Sequence, residues 1–370
     1  MRSILRRPRR RINFPIVPII LTLAVITLII VLLTGAIGGT QYRRFSNSSF
    51  RLMPFTRTDI FTPFANGVAY IDTAAGQLKY LDENGKLIWG FNDATKDMTL
   101  YTSSDRLGVV VSKKLQMLNT DGKVIFNKSF ERPINKLCVS NNLSVLLLTA
   151  ADNSNTLTVL DKYGEKLDTL TEATGQKIID FGLFSEGTSV WMLTVDTGSV
   201  TQTYRFFTYK YQPSKLITAG FEASDQMLYA PVFSQKNIYL CGTVEILQSD
   251  YTGKIIKKIP VSGYELASSG IIKSDMHMLL KRTGQEVNTS LMAVSGAGTA
   301  NIEVPEGIIA AYVGQNSYFA FSQFNMYQYS PTTLKMLSYT MPVKADSVIT
   351  GGNSAIIISG EQVYYLHLPK

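Results

Sequence analysis

Two histidines, two cysteines and two tryptophans are all that this 370-residue chain holds of the residues most used in metal, redox and cofactor chemistry. His277 and His367 sit in alternating strand patterns, Met276-His-Met278 and Leu366-His-Leu368, as half-buried strand residues would. With Cys138 and Cys241 they show no ligand spacing, so no metal centre is expected. The cysteines lie in apolar strand-like stretches, where two buried thiols acting as small hydrophobes are a plainer reading than a disulfide. Trp89 and Trp191 are too few to stack a quinone, and a calcium cage would be needed beside it, so no cofactor is expected.

Nucleophilic hydrolysis is equally short of parts. Gly-x-Ser-x-Gly does not occur, and a triad would have to recruit one of the two histidines. A glycosidase pair need only meet in space. Asp72, Asp180, Asp225, Asp275 and Asp346, near predicted strand ends, are its candidates, with turn and edge chemistry as their ordinary use. Gly351-Gly352 and Ser295-Gly-Ala-Gly298 read as turns rather than phosphate cradles.

Acidic residues are missing altogether before Asp59. The net charge of +8 is therefore local: six of 36 basic residues are Arg2, Arg6, Arg7, Arg9, Arg10 and Arg11, leaving thirty against 28 acidic ones. A nucleic-acid surface needs a concentrated basic face, and the remainder has no excess to build one.

What is present begins with a run of 31 uncharged residues, 12–42, whose centre, 16–37, is almost wholly aliphatic. As a helix those 22 residues extend about 33 Å, enough for a hydrocarbon core of about 30 Å. Pro15 and Pro18 fall in the first turns, where a missing amide donor costs least. The topogenic arginines Arg6, Arg7, Arg9, Arg10 and Arg11 place the N-terminus in the cytoplasm and the rest outside the cell membrane. A cleaved signal peptide is the rival, favoured by the small residues of 34–39, but its apolar core would typically span about 7–15 residues. The expected order is a basic tail at 1–14, a transmembrane α-helix at 15–37, a short tether at 38–44 and a folded domain at 45–370.

That domain lacks amphipathic helices. Short alternating runs of Val, Ile, Leu, Tyr, Phe and Thr are punctuated by Gly, Asn, Asp and Ser, which is the pattern of many short strands. One hairpin recurs: strand, polar turn often ending in Gly-Lys, strand. It appears at 78–89, 115–126, 157–167 and 244–256, and more loosely at 204–217, 291–302 and 326–337. Residues 363–368 read as a first strand with no second. The turns carry Asp82 and Gly85, Asp121 and Gly122, Asp161 and Gly164, and Gly253, since Asp accepts local backbone hydrogen bonds and Gly supplies positive φ. Leu81, Leu118 and Leu160 recur 37 and 42 residues apart, and Leu247 and Leu366 follow at longer intervals, with a missed unit between Leu160 and Leu247; a step of about 35–50 residues is the four-strand period of a β-propeller. Seven hairpins and an orphan strand predict an all-β, eight-bladed propeller whose last blade is closed by residues 45–55. Seven blades is the alternative, should residues 60–64 not form a strand.

The first hairpin, Tyr80-Leu-Asp-Glu-Asn-Gly-Lys-Leu-Ile-Trp89, resembles the repeat of quinoprotein-like (PQQ-like) β-propellers, Ala-x-Asp-x-x-Thr-Gly-Lys-x-x-Trp. At the position of Trp89 two other copies read Phe126 and Ile256. The layout of tail, anchor and propeller is also similar to a membrane-anchored propeller family of uncharacterised function from clostridia and related Gram-positive bacteria. The resemblance implies either a non-catalytic scaffold or an envelope enzyme, a quinone-dependent dehydrogenase or a carbohydrate-active propeller. The missing catalytic groups favour a non-enzymatic binding or scaffold module with an envelope protein or polymer as partner. The aromatic runs at 204–211 and 318–327 are a further lead, although packing between blades accounts for most of such residues.

Overall fold

In the computed structural model the described residues are 41–370, apart from short breaks at 47–48, 93, 185–186, 199–200, 212–215, 286 and 370. The basic tail, the expected transmembrane helix and residues 38–40 of the tether lie outside them. Among the described residues no helix is long and apolar enough to cross a membrane.

The strands form eight antiparallel sheets of four consecutive-neighbour strands, one of them with a fifth. Seven blades are continuous in sequence: 60–91, 99–129, 134–171, 176–223, 228–260, 264–303 and 310–340. Ile60–Phe64 is a strand, which decides for eight blades over seven. Blade eight takes three strands from 347–367 and its fourth, Phe50–Thr56, from the other end of the chain. Phe50 lies opposite Leu366, Arg51 opposite Tyr365 and Leu52 opposite Tyr364. Without that strand the last blade would end in an unpaired edge.

Burial shows how each blade stands in the ring. First strands of neighbouring blades contact one another, in blades one and two, two and three, and six and seven, so they line the central channel. Second strands are the most deeply buried, such as Ser189–Asp196, because both their faces meet another blade. Fourth strands are exposed, Ile255–Pro260 on all but one residue. Apolar side chains gather in eight clusters, each drawn from two adjacent blades. The core is thus a ring of interfaces, and the last of them, Met53 and Phe55 against Val68, Tyr70 and Ile356, joins the two ends of the propeller.

The entry segment differs from expectation. Four residues assigned to the tether, Gln41–Arg44, form a strand beside Met336–Thr340 and give blade seven its fifth strand. The exposed outer edge of that blade offers unpaired backbone groups, and the passing chain satisfies them. The closing strand begins at Phe50 rather than 45; Phe45 instead stacks on Tyr339 of blade seven at 5.2 Å.

The repeated turn is built as its residues dictate, with one correction. Asp82 Oδ1 accepts the amides of Asn84 (2.8 Å) and Lys86 (2.9 Å), and Asp161 Oδ1 those of Tyr163 and Glu165. Gly85, Gly122, Gly164 and Gly253 follow three residues after the acceptor, at φ between 71° and 88°. In blade two the acceptor is Asn119, not Asp121: Asn119 Oδ1 takes the amides of Asp121 and Lys123, and the Asp121 carboxylate stays in solvent. Asn offers the same acceptor oxygen at the same spacing.

Candidate functional site: the channel mouth

A cavity of about 1180 Å³ opens where blades seven, eight, one and two turn from their first strand to their second. Its wall is made of four such turns: Ala65 and Asn66 of blade one, Ser103 and Ser104 of blade two, Gln315 and Asn316 of blade seven, and Gly352 and Asn353 of blade eight. Glu83 and Thr120, from the third-to-fourth-strand turns of blades one and two, complete one side, and His367 with Pro369 closes another.

Side-chain hydrogen bonds hold the turns of blades one, eight and seven, and one third-to-fourth-strand turn beside them. Tyr365 of blade eight donates to the Asn66 carbonyl at 3.3 Å, and Tyr312 of blade seven donates to the Gly352 carbonyl at 2.8 Å. Behind the blade-seven turn runs a buried relay: Tyr339 donates to Gln328 Oε1 (3.1 Å), and Gln328 Nε2 donates to Ser317 Oγ (2.9 Å). Trp89 Nε1 donates to the carbonyl of Thr120 at 2.8 Å. Gly67 follows Asn66 because a Cβ there would come within 2.0 Å of the Leu81 carbonyl oxygen.

Its charge is small and self-contained. Among the described residues that line it, Glu83 and His367 are the only titratable side chains besides the buried Tyr365, and they face each other at 3.4 Å (Glu83 Oε2 to His367 Nε2). No lysine or arginine among the described residues lines the cavity. Aromatic liners are buried in the wall, Phe64 at 1%, Phe319 at 3% and Tyr365 at 3% exposure, so little ring surface is offered. Side-chain amides and hydroxyls dominate.

The residues singled out from sequence fall elsewhere. Asp72 binds Lys79 Nζ (2.8 Å) within blade one, and Asp180 binds Lys136 across blades three and four and takes the Phe181 amide. Asp346 takes the amide of Gly360 at 2.7 Å. Asp225 follows blade four and Asp275 begins the second strand of blade six, and none of the five lines the cavity. Among the described residues no group of three His, Cys, Asp or Glu side chains is placed to hold a metal. His277 Nδ1 meets Tyr318 Oη at 2.7 Å between blades six and seven, and burial lowers its pKa, disfavouring the imidazolium. Both cysteines are free thiols, and burial pushes Cys138 up to about 11 and Cys241 to about 12. The aromatic runs pack: Phe206, Tyr318, Phe319, Phe321 and Tyr327 are buried, and Phe324 is the exception at 52% exposure.

Sequence reasoning missed the cavity residues, because Asn66, Gln315, Asn316 and Asn353 stand in turns of different blades and look individually like ordinary turn residues. Their one shared signal is position: each follows the first strand of its blade.

The blade motif, by contrast, has a clear job. Trp89 lies over Gly122 of the next blade, where an added Cβ would meet its ring at 2.8 Å, and Phe126 lies over Gly164 at 2.7 Å. Arg51 of the closing strand reaches the blade-one turn, donating from Nη1 to the Asn84 carbonyl at 2.6 Å. In blade five the matching register position is Lys257, not Ile256: Lys257 faces Gln248 as Trp89 faces Tyr80. The motif joins blade to blade and leaves the cavity free to vary.

These features define a closed eight-bladed β-propeller. No protein-family model and no curated protein matches the chain. Solved structures do. BamB from Moraxella catarrhalis, a PQQ-like propeller, matches with a TM-score of 0.54 over 88% of this chain and 97% of its own, at 11% identity. The WD40 domain of SCAP from fission yeast matches at 0.58 over 88% and 99%, with 8% identity. The dihydro-heme d1 dehydrogenase NirN, in complex with DHE, matches at 0.53 over 86% and 70%, with 12% identity. At such identities the likeness is one of fold, and the fold serves binding modules and enzymes alike.

Proposed function

We propose that this chain is a non-enzymatic binding or scaffold module, anchored by residues 15–37 in the cell membrane with its propeller on the outer face, and that the channel mouth holds an envelope protein or polymer. The observation that carries the reading is the cavity's construction. Four turns from four blades converge on one opening, and three of them are held by hydrogen bonds from Tyr365, Tyr312 and Gln328, so most of the wall is positioned while its exposed residues are free to suit a ligand. Preorganised turns lower the ordering cost of binding. The anchor rests on the uncharged run and the arginines before it, in the layout of the membrane-anchored clostridial propellers that the sequence resembles.

The test uses the full chain in intact cells. An epitope at the N-terminus should stay on the full-length, carbonate-resistant membrane species, and external protease should reach the propeller. A photo-crosslinking amino acid at Asn316 or Asn353 should capture a discrete envelope component, whereas one at Lys257 on the outer rim should not. Equal, diffuse crosslinking at all three positions sinks the binding role; loss of the epitope by processing sinks the anchor.

A further inference from the structure

We infer that the channel-mouth cavity is a site for a neutral, hydroxyl-rich ligand, an uncharged oligosaccharide or polysaccharide end, rather than for an anionic polymer or a peptide. The inference rests on the binding-module reading and adds the chemistry of the ligand.

Four exposed carboxamides, Asn66, Gln315, Asn316 and Asn353, face one opening from three blades. A carboxamide presents an acceptor oxygen and a two-hydrogen donor in one plane, which matches neighbouring hydroxyls that each donate and accept. Ser104 and Thr120 add hydroxyls of the same dual character. Gly314, Gly351 and Gly352 bring main chain rather than side chain to the wall.

Charge decides against the alternatives. Among the described residues an anionic polymer would meet no lysine or arginine at the wall, and the single imidazole, His367, is already faced by Glu83. Recognition of phosphate or carboxylate depends on such cations. A peptide draws much of its affinity from apolar anchors seated in pockets. Here Ile349, at 38% exposure, is the one large apolar side chain that the cavity exposes. The volume of about 1180 Å³ lies above the roughly 300–1,000 Å³ typical of small-molecule pockets, leaving room for several linked units with bridging water.

The experiment takes the full-length protein in detergent micelles and titrates it calorimetrically with cellotetraose, chitotetraose and maltotetraose, and separately with polyglycerol phosphate and an end-blocked hexapeptide. Expected is saturable binding of at least one tetrasaccharide that changes little between about 50 and 500 mM salt, since no ion pair is made. The double variant Asn316→Ala/Asn353→Ala, both exposed turn positions, should weaken it by about tenfold or more with the thermal melt unchanged. Binding confined to the phosphate polymer or the peptide overturns the inference, as does tetrasaccharide binding indifferent to the double variant, or no tetrasaccharide binding at all. If crosslinking in cells has captured a component while the tetrasaccharides fail, the chemistry assigned here is wrong and the binding role stands. If both fail, both readings fall.

Discussion

Single side chains do two kinds of work here, joining blades and satisfying buried backbone. Trp89 is half-buried, yet its ring caps Gly122 and its Nε1 closes a hydrogen bond on the next blade. Trp89→Ala should cost about 3 kcal/mol, the low end of the roughly 3–5 kcal/mol of aromatic truncations, read from the midpoint of urea unfolding. Gly122→Ala should also destabilise, because its φ of 78° is strained for an L side chain and the new Cβ meets the ring. Glu172 is the best-served carboxylate outside the cavity. Burial raises its pKa, but the amides of Ile178 and Asn155, the Asn155 side chain and Lys177 outweigh it and hold the group below its ordinary value. The carboxylate therefore stabilises the fold fully above its unfolded pKa, and that stabilisation fades as pH falls through the lower folded value. Stability measured by denaturation should drop on acidification below about pH 4.5, and Glu172→Gln should be less stable at pH 7 with a flatter acid limb.

At the level of strands, one irregularity explains several exposed apolar residues. In blades one, two, three and five the register slips by one residue just past the Gly turn. The residue left over is Ile88, Ile125, Leu167 or Ile256, and three of these are about half exposed: Ile88 at 48%, Leu167 at 48% and Ile256 at 54%. A bulge leaves its extra residue without a cross-strand partner and re-aims the next one. That next residue is Trp89, Phe126 or Asp168, and each reaches the following blade, Asp168 by accepting from Tyr211 Oη at 2.9 Å. Blades six and seven, whose turns depart from the motif, keep an unbroken register. Ile256→Thr should then shift stability by no more than about 0.5 kcal/mol in denaturation, the ordinary range for a surface position. The closing strand behaves oppositely. Phe55, 3% exposed against Tyr70 of blade one, should cost about 3–5 kcal/mol on change to alanine, because the lost contacts hold the ring shut.

For the molecule as a whole, closure is the property on which the site depends. The cavity is lined by blades seven, eight, one and two, which are the blades that flank the join between the chain ends. Loss of the closing strand removes the partner of Gln362–His367 and with it the support of Tyr365 and His367 at the cavity wall. Deleting residues 1–56 should thus abolish both the cooperative melt and ligand capture. A shorter deletion of 1–40, which spares Phe50–Thr56, should keep the melt and, under the proposed anchoring, release the protein from the membrane. Differential scanning calorimetry and fractionation separate the two outcomes.

The alternating strands and the pairing of the two chain ends were legible in the sequence, and eight blades was the expectation with seven as its alternative, because local turn chemistry and a period of about 35–50 residues repeat along the chain. Turn acceptors were legible too where Asp is followed three residues later by Gly, though Asn119 had to be distinguished from Asp121 by its hydrogen bonds. Only the tertiary structure decided that Gln41–Arg44 would pair with blade seven and that four unremarkable turns would share one cavity. The physical reason is the ring itself: it brings together residues nearly the whole chain apart, such as Asn66 and Tyr365, and no local pattern records which turns will become neighbours.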